Sequence, residues 1–103
     1  MSKNTITMRK ITEAAIRAFY NRTNFKRGNT RVEVNELNES RLILHGHTIA
    51  YMDETKVLIS NCGYFTNTTK ERLNGLSGVN IVQRDFEWFL NGELWNGEKT
   101  LIE

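Results

Sequence analysis

The close spacing of short apolar segments between residues 31 and 60 limits the fold more than any other feature of this sequence. Val32 and Val34 alternate with polar residues, as in a strand that buries one face. Further strands are predicted to begin at Leu42 and to cover Thr48–Met52 and Lys56–Ser60, with only short turn-forming runs between them. Parallel strands need crossovers of a dozen or more residues, so these segments predict an antiparallel meander.

An amphipathic helix is predicted before these strands. Thr7 is a candidate N-cap, and from Met8 onward apolar side chains recur at helical spacing and share one face. Charged residues and Tyr20 fall on the opposite, outward face. The helix is expected to end near residue 21, and residues 22–30 are expected to form a polar loop.

A second, shorter helix and a hairpin complete the predicted order of elements. Thr68 to Glu71 has the pattern of a capping box, in which Thr68 caps the helix and Glu71 reaches back. Two strands are predicted about Asp85, with Phe86 and Trp88 on one buried face, and a further tight turn is predicted at 91–92. Residues 1–103 are therefore expected to form a single α+β domain. Its antiparallel sheet has about five or six strands, with the N-terminal helix packed on one face and the second short helix beside it.

The net charge of +2 hides a separation of charge along the chain. Residues 1–31 hold eight Lys and Arg against one acid, Glu13, whereas residues 32–103 hold six against eleven. Such an asymmetry is evidence about partners, because the fold does not require it. The predicted contact residues of the N-terminal helix and loop are Arg9, Lys10, Arg17, Tyr20, Arg22, Lys26, Arg27 and Arg31.

This basic surface has three interpretations. Cations along a helix and loop contact the phosphates of a nucleic acid, and an exposed Tyr20 would stack on an unpaired base. The same cations also suit an acidic surface of a protein partner. In the third interpretation they form a solvated helix face, in which Glu13 pairs with Arg9 and Arg17.

A secondary anion site is predicted at the start of the second helix. Thr68, Thr69, Lys70 and Arg72 lie where free backbone amides and the helix dipole favour a phosphate or a carboxylate. The alternative is plain capping, and the Gly-rich cradle of a P-loop does not accompany these residues.

The sequence gives little support to metal or catalytic chemistry. His45, His47 and Cys62 lack the spacing of a zinc site, so no metal or cofactor is expected. His45, His47 and Asp53 are available as a base and an orienting acid for Cys62, but Cys62 lies beside no catalytic signature. Cys62 is therefore expected to be a small buried residue at a strand end, and no enzyme activity is expected. A single cysteine suits a reducing compartment, and no apolar run is long enough to span a membrane.

Three segments resemble a known group of proteins. They read LHGHTIAY (44–51), ISNCGYFTNTTKERLNGL (59–76) and WFLNGELWNG (88–97). These segments are similar to a family of small accessory proteins of tailed bacteriophages, marked by a Gly-aromatic segment followed by Thr-Thr-Lys-x-Arg-Leu-Asn.

The resemblance implies a protein that acts in the cytoplasm of an infected bacterium. Such proteins commonly bind and block host machinery. The alternative to nucleic-acid binding is therefore an inhibitor that binds an acidic surface of a host defence or replication protein, in the manner of an anti-CRISPR or host-takeover protein. The edge of the C-terminal hairpin is expected to be available for pairing with a second copy of the chain, giving a homodimer.

Overall fold

The computed structural model describes the backbone of residues 3–102 and, from residue 9 onward, the side chains. The α+β class is confirmed, with two helices and two antiparallel sheets. In chain order the elements are α1 (Lys3–Tyr20), β1 (Phe25–Arg27), β2 (Thr30–Val34), β3 (Ser40–Leu44), β4 (His47–Met52), β5 (Val57–Ile59), α2 (Asn67–Leu73), β6 (Ile81–Arg84), β7 (Glu87–Leu90), β8 (Glu93–Leu94) and β9 (Thr100–Leu101).

The larger sheet has six strands in the order β1-β2-β3-β4-β5-β9. The predicted meander forms β2 to β5. The prediction of a loop over residues 22–30 was wrong in part, because Phe25 pairs with Val32 and packs against the core, which fixes β1 as an edge strand. At the other edge, Leu101 of β9 pairs with Leu58 of β5.

The C-terminal hairpin forms a separate sheet in the order β6-β7-β8, where a single sheet was expected. The predicted turns about Asp85 and at 91–92 are confirmed. The prediction that Phe86 shares a buried face with Trp88 was wrong. Asp85 and Phe86 both have positive φ and form a two-residue turn, so Phe86 leaves the strand alternation and is 95% exposed.

The core lies between α1 and one face of the six-stranded sheet. Ala15 and Phe19 of α1 are buried in one cluster with Val32, Leu42 and Ala50. Side chains alternate between the two faces along each strand. The cross-strand partners of Val32 and Leu42 therefore face α1, and the residues next to them along the same strand face the opposite side of the sheet.

The first helix is longer than predicted. It begins at Lys3, so Thr7 lies inside it and is not its N-cap. The segment from Lys3 to Thr7 contains no Gly or Pro to prevent the helix from extending. Met8, predicted on the apolar face, lies outside the described side chains.

Tyr20 was predicted to lie on the outward face of α1, and this prediction was wrong. Its ring packs edge-on against Phe19 with centroids 5.4 Å apart, and its hydroxyl accepts a hydrogen bond from the Ser77 amide at 3.0 Å. The loop after α2 covers this side of the helix, where Gly75 packs so closely against Thr12 and Ile16 that a Cβ would overlap both side chains.

The predicted capping box of α2 was wrong. Thr66 is the N-cap, and its side chain accepts a hydrogen bond from the Thr69 amide at 3.1 Å. Thr68 already lies in the helix. Glu71 does not reach back, because its carboxylate accepts a hydrogen bond from the Thr12 hydroxyl of α1. Neither helix, as far as the structure describes them, has the length and apolar character that crossing a bilayer requires.

Candidate functional site

The loops of the six-stranded sheet divide between its two ends. Because successive strands are antiparallel, loops 28–29, 45–46 and 60–66 lie at one end and loops 35–39 and 53–56 at the other. Contacts confirm that the first three loops meet. The His45 amide donates to the Asn29 carbonyl at 2.9 Å, and the rings of His47 and Tyr64 lie 4.7 Å apart.

Charge follows this division. Residues 25–31, 44–48 and 60–66 contain Lys26, Arg27, Arg31 and two histidines but no Asp or Glu. We call their end of the sheet the basic end. The loops at the other end carry the carboxylates Glu36, Glu39, Asp53 and Glu54, and we call it the acidic end.

A buried arginine fixes the N-terminal half of α1 over the basic end. Arg72 donates from Nε to the Thr30 hydroxyl at 3.0 Å and from Nη1 to the Thr12 hydroxyl at 2.8 Å. Thr30 is the first residue of β2, so Thr12 lies over the basic end. Arg9 and Lys10 precede Thr12 by less than one helical turn and therefore project near the same end.

Five of the eight predicted contact residues are exposed and have no ion-pair partner among the described side chains. Among the side chains from residue 9 onward, no carboxylate lies within ion-pair distance of any of these five. The salt bridges there are Arg31–Glu33, Lys56–Asp53 and Arg72–Glu71. The predicted pairing of Glu13 with its helix neighbours is absent from these side chains. The five are Arg9, Lys10, Arg17, Lys26 and Arg27, and we call them the free cations.

The free cations lie on more than one side of the sheet. Lys26 pairs with Arg31 on the face opposite α1, whereas Arg27 pairs with Thr30 on the face that α1 covers. Arg17 lies on α1 roughly 7.5 Å beyond Thr12 along the helix axis. Arg31 ion-pairs with Glu33 at 2.8 Å, an exposed pair that contributes little. The result is a positive surface that curves round the end and the β1 edge of the sheet.

Arg22 is not part of this surface. It donates to the carbonyl oxygens of Asn38 at 2.9 Å and Asp53 at 3.0 Å, and so joins α1 to two loops of the acidic end. Its charge helps to fix those loops.

The four residues of the predicted secondary anion site do not form one exposed group. Arg72 is 2% exposed, and its burial lowers the pKa of the guanidinium while Glu71 acts in the opposite direction. Thr69 is buried, Thr68 is half-buried, and the Lys70 ammonium lies 5.9 Å from the centre of the Trp88 ring. A phosphate therefore cannot contact these four side chains together.

The histidines and the cysteine are surface residues. Cys62 was predicted to be buried, and this was wrong, because the residue is exposed in the tight turn after β5, with φ 54°. Its thiol donates to the Thr48 carbonyl at 3.1 Å. His45 and His47 are also exposed. Within residues 9–102, no three His, Cys, Asp or Glu side chains are placed to hold a metal ion.

Tyr64 is the functional candidate that sequence reasoning missed. It is 48% exposed and tilts against His47 at the basic end, in the position of an aromatic platform that had been expected of Tyr20. It follows Gly63 in an irregular loop, where neither strand nor helix periodicity assigns a residue to a face. The aromatic residue after the glycine in the phage-like segment was the available signal.

Comparison with known proteins identifies the source of the chain. Residues 8–101 match the family of the Kyanoviridae Gp96 protein. The chain belongs to this family. A Kyanoviridae Gp96 protein is a cyanophage protein, so the resemblance to small phage accessory proteins is confirmed and the chain is a phage accessory protein. No curated protein and no solved structure has significant similarity to it.

Proposed function

We propose that this phage accessory protein binds single-stranded nucleic acid, without catalysis, in the cytoplasm of the infected cell. The free cations and the exposed Tyr64 form the contact surface. The observation that carries the proposal is the set of cations without an ion-pair partner among the described side chains, beside the three loops 28–29, 45–46 and 60–66, which contain no acidic residue.

The curvature of this surface favours a flexible strand over a rigid duplex. Lys26 and Arg31 lie on one side of the sheet, and Arg9 and Lys10 belong to the helix that covers the other. A single strand can bend round the end and contact both sides, and exposed aromatic rings such as Tyr64 stack on unpaired bases of any sequence.

Counterion release sets the expected salt dependence. Each phosphate contact on a single strand contributes a slope of about −0.7, so five contacts give a slope of roughly −3.5 in a plot of log affinity against log salt. Raising the salt from about 50 mM to about 200 mM should then weaken binding roughly a hundredfold.

The proposal is tested by fluorescence anisotropy with a labelled single-stranded oligonucleotide over a salt series. The Lys26→Glu, Arg27→Glu double variant should lose roughly a hundredfold in affinity and show a shallower salt slope. Arg84→Glu is the control for position, with half of the change in charge, because Arg84 is an exposed cation on the small sheet that stacks over Phe89. The absence of wild-type binding at low salt, or an equal loss in the control, would contradict the proposal.

The acidic-protein alternative is supported by Tyr64 itself, because aromatic residues beside a charged rim are typical anchors of protein interfaces. It predicts that the wild-type chain captures one stoichiometric host protein and has no affinity for oligonucleotides. The Lys26→Glu, Arg27→Glu variant should then lose that protein, whereas Arg84→Glu should retain it.

A further inference from the structure

We infer that a cavity between the two tight turns of the basic end, 28–29 and 45–46, binds one phosphate group. The inference rests on the proposed function, in which this phosphate belongs to the bound strand, and it deepens that function by naming a site. The cavity has a volume of about 290 Å³ and is lined in part by Lys26, Arg31 and His45. Of the described residues that line it, none is an Asp or a Glu.

Two cations lie directly opposite each other beside this cavity. Lys26 of β1 pairs with Arg31 of β2, and like charges in such positions destabilise a sheet. The Glu33 carboxylate lies 2.8 Å from the Nε of Arg31 but does not line the cavity, and Lys26 has no ion-pair partner among the described side chains. An anion in the cavity would relieve the repulsion that remains between the two cations.

A chain of hydrogen bonds from the core orients two further donors at the cavity. The Arg72 side chain carries only donors, so its bond to Thr30 Oγ1 at 3.0 Å directs the hydroxyl proton to Asn29 Oδ1, which lies 2.8 Å away. The other amide atom of Asn29 is therefore the donor Nδ2, and it lies 3.3 Å from Nε2 of His45. Nε2 of the neutral imidazole then accepts, and Nδ1 carries the proton. Asn29 keeps a second N–H, so both side chains retain a donor for a ligand.

The backbone of the two turns adds donors of the same kind. Gly28 and Gly46 line the cavity, and their amides have no hydrogen-bond acceptor among the described residues. Both have positive φ, and apart from their chain neighbours no heavy atom lies within 4 Å of the place of a Cβ, so the backbone is open to a ligand. A site with cations and several donors but no carboxylate matches a compact oxyanion with several acceptor oxygens, as a phosphate is.

The test is a titration of the isotope-labelled chain, followed by two-dimensional NMR, with inorganic phosphate and with acetate at the same ionic strength. Phosphate should cause saturable shifts of the backbone amides of Gly28 and Gly46 and of the Asn29 side-chain amide, and acetate should not. Asn29→Asp places a carboxylate at the cavity, so phosphate affinity should fall at least about tenfold. Asn24→Asp is the matched control, because Asn24 precedes β1 at its other end and its Oδ1 accepts from the Val34 amide at 2.9 Å, a bond that aspartate preserves.

A second titration identifies the source of the phosphate, with an oligothymidylate that has hydroxyl groups at both ends. If the strand shifts the same groups and inorganic phosphate competes with it, the cavity binds a phosphate within the strand. If only inorganic phosphate shifts them, the cavity stands as a site for a free phosphate or a phosphate monoester.

The outcomes for the cavity and for the proposed function are separate. The absence of saturable shifts with inorganic phosphate, equal shifts with acetate, or an equal loss in Asn24→Asp overturns the phosphate site. The anisotropy series with the labelled strand decides the proposed function independently, because it depends on the free cations as a set.

Discussion

Two carboxylates of the acidic end, Glu39 and Asp53, have close partners, whereas two cations of the basic end, Lys26 and Arg27, have none among the described side chains. The Tyr51 hydroxyl donates to Glu39 at 2.7 Å, and the Lys56 ammonium pairs with Asp53 at 2.8 Å. Asp53 also accepts hydrogen bonds from the amides of Thr55 and Lys56. At the basic end, Lys26 and Arg27 have no such contacts among the described side chains. The charged groups of Glu39 and Asp53 thus join the loops of the acidic end, whereas Lys26 and Arg27 remain exposed at the basic end.

The pKa values of the acidic end reflect these contacts. The hydrogen bond to Glu39 raises the pKa of Tyr51 to about 12. Hydrogen bonds from Asn35 and then from Tyr51 lower the pKa of Glu39. The Lys56 ammonium holds the pKa of the Asp53 carboxyl well below its usual range, with help from the Thr55 amide. The pH dependence of stability should therefore arise at this end of the molecule.

Replacing Arg72 should have the largest effect, because it breaks the contact that sets α1 over the basic end. Arg72→Ala leaves the hydroxyls of Thr12 and Thr30 and the Glu71 carboxylate without their buried partner. We expect a loss of about 3 kcal/mol in the free energy of unfolding, measured by urea denaturation. Arg84→Ala on the small sheet should change it by less than about 0.5 kcal/mol. Comparable losses in both variants would show that burial of Arg72 does not stabilise the fold.

Acidification should weaken the acidic end next. The pKa of Asp53 is lower in the folded chain than in the unfolded one, so its stabilising effect is present above the ordinary Asp value of about 3.9 and is lost as the pH falls below it. The urea midpoint of the wild-type chain should fall between pH 6 and about pH 3. Asp53→Asn should start lower at pH 6 and fall less. Parallel pH profiles for the two chains would contradict this assignment.

Alkaline pH should have a smaller effect through Tyr51. Its pKa is raised in the folded chain, so the stabilisation is fully present below about pH 10 and is lost as the pH rises toward about 12. Tyr51→Phe should flatten the stability profile above about pH 10. Absorbance of tyrosinate provides the check, since the wild-type chain should show a tyrosine that titrates near pH 12 and that Tyr51→Phe lacks.

The smallest effect is expected from breaking the Arg31–Glu33 ion pair, which lies beside the free cations. Glu33→Gln releases Arg31 from its exposed partner and adds a cation to the basic end. Oligonucleotide affinity should rise by less than about threefold, because such pairs contribute under about 1 kcal/mol. Glu36→Gln removes the same charge at the acidic end and should leave the affinity nearly unchanged. A larger gain from Glu36→Gln would show that net charge matters more than position.

The parts of the fold set by local periodicity were predictable, and the parts set by distant contacts were not. The alternation of Val32 and Val34 with polar residues is enough to define a strand, and the short turns force an antiparallel meander. β1 has only three residues, Phe25–Arg27, too few for a periodic pattern, and its pairing depends on Val32.

The candidate site shows the same limit. The sequence was enough to select the cations between residues 9 and 31 as contact residues. The predicted meander by itself would also have placed two loops of the basic end at the same end of the sheet. Arg72 looked like an anion contact because its helix neighbours are polar. Its burial depends on Thr12 and Thr30, which are far away in the chain.

The position of Lys26 and Arg27 on an edge strand has a second consequence, for solubility. β1 leaves one row of backbone hydrogen-bonding groups open at the margin of the sheet, a template on which other chains could add strands. Side chains with a full charge on such a strand oppose that addition, and glutamate serves this purpose as well as lysine or arginine. Charge reversal at these positions should therefore leave the chain monodisperse, whereas valine at both would invite aggregation.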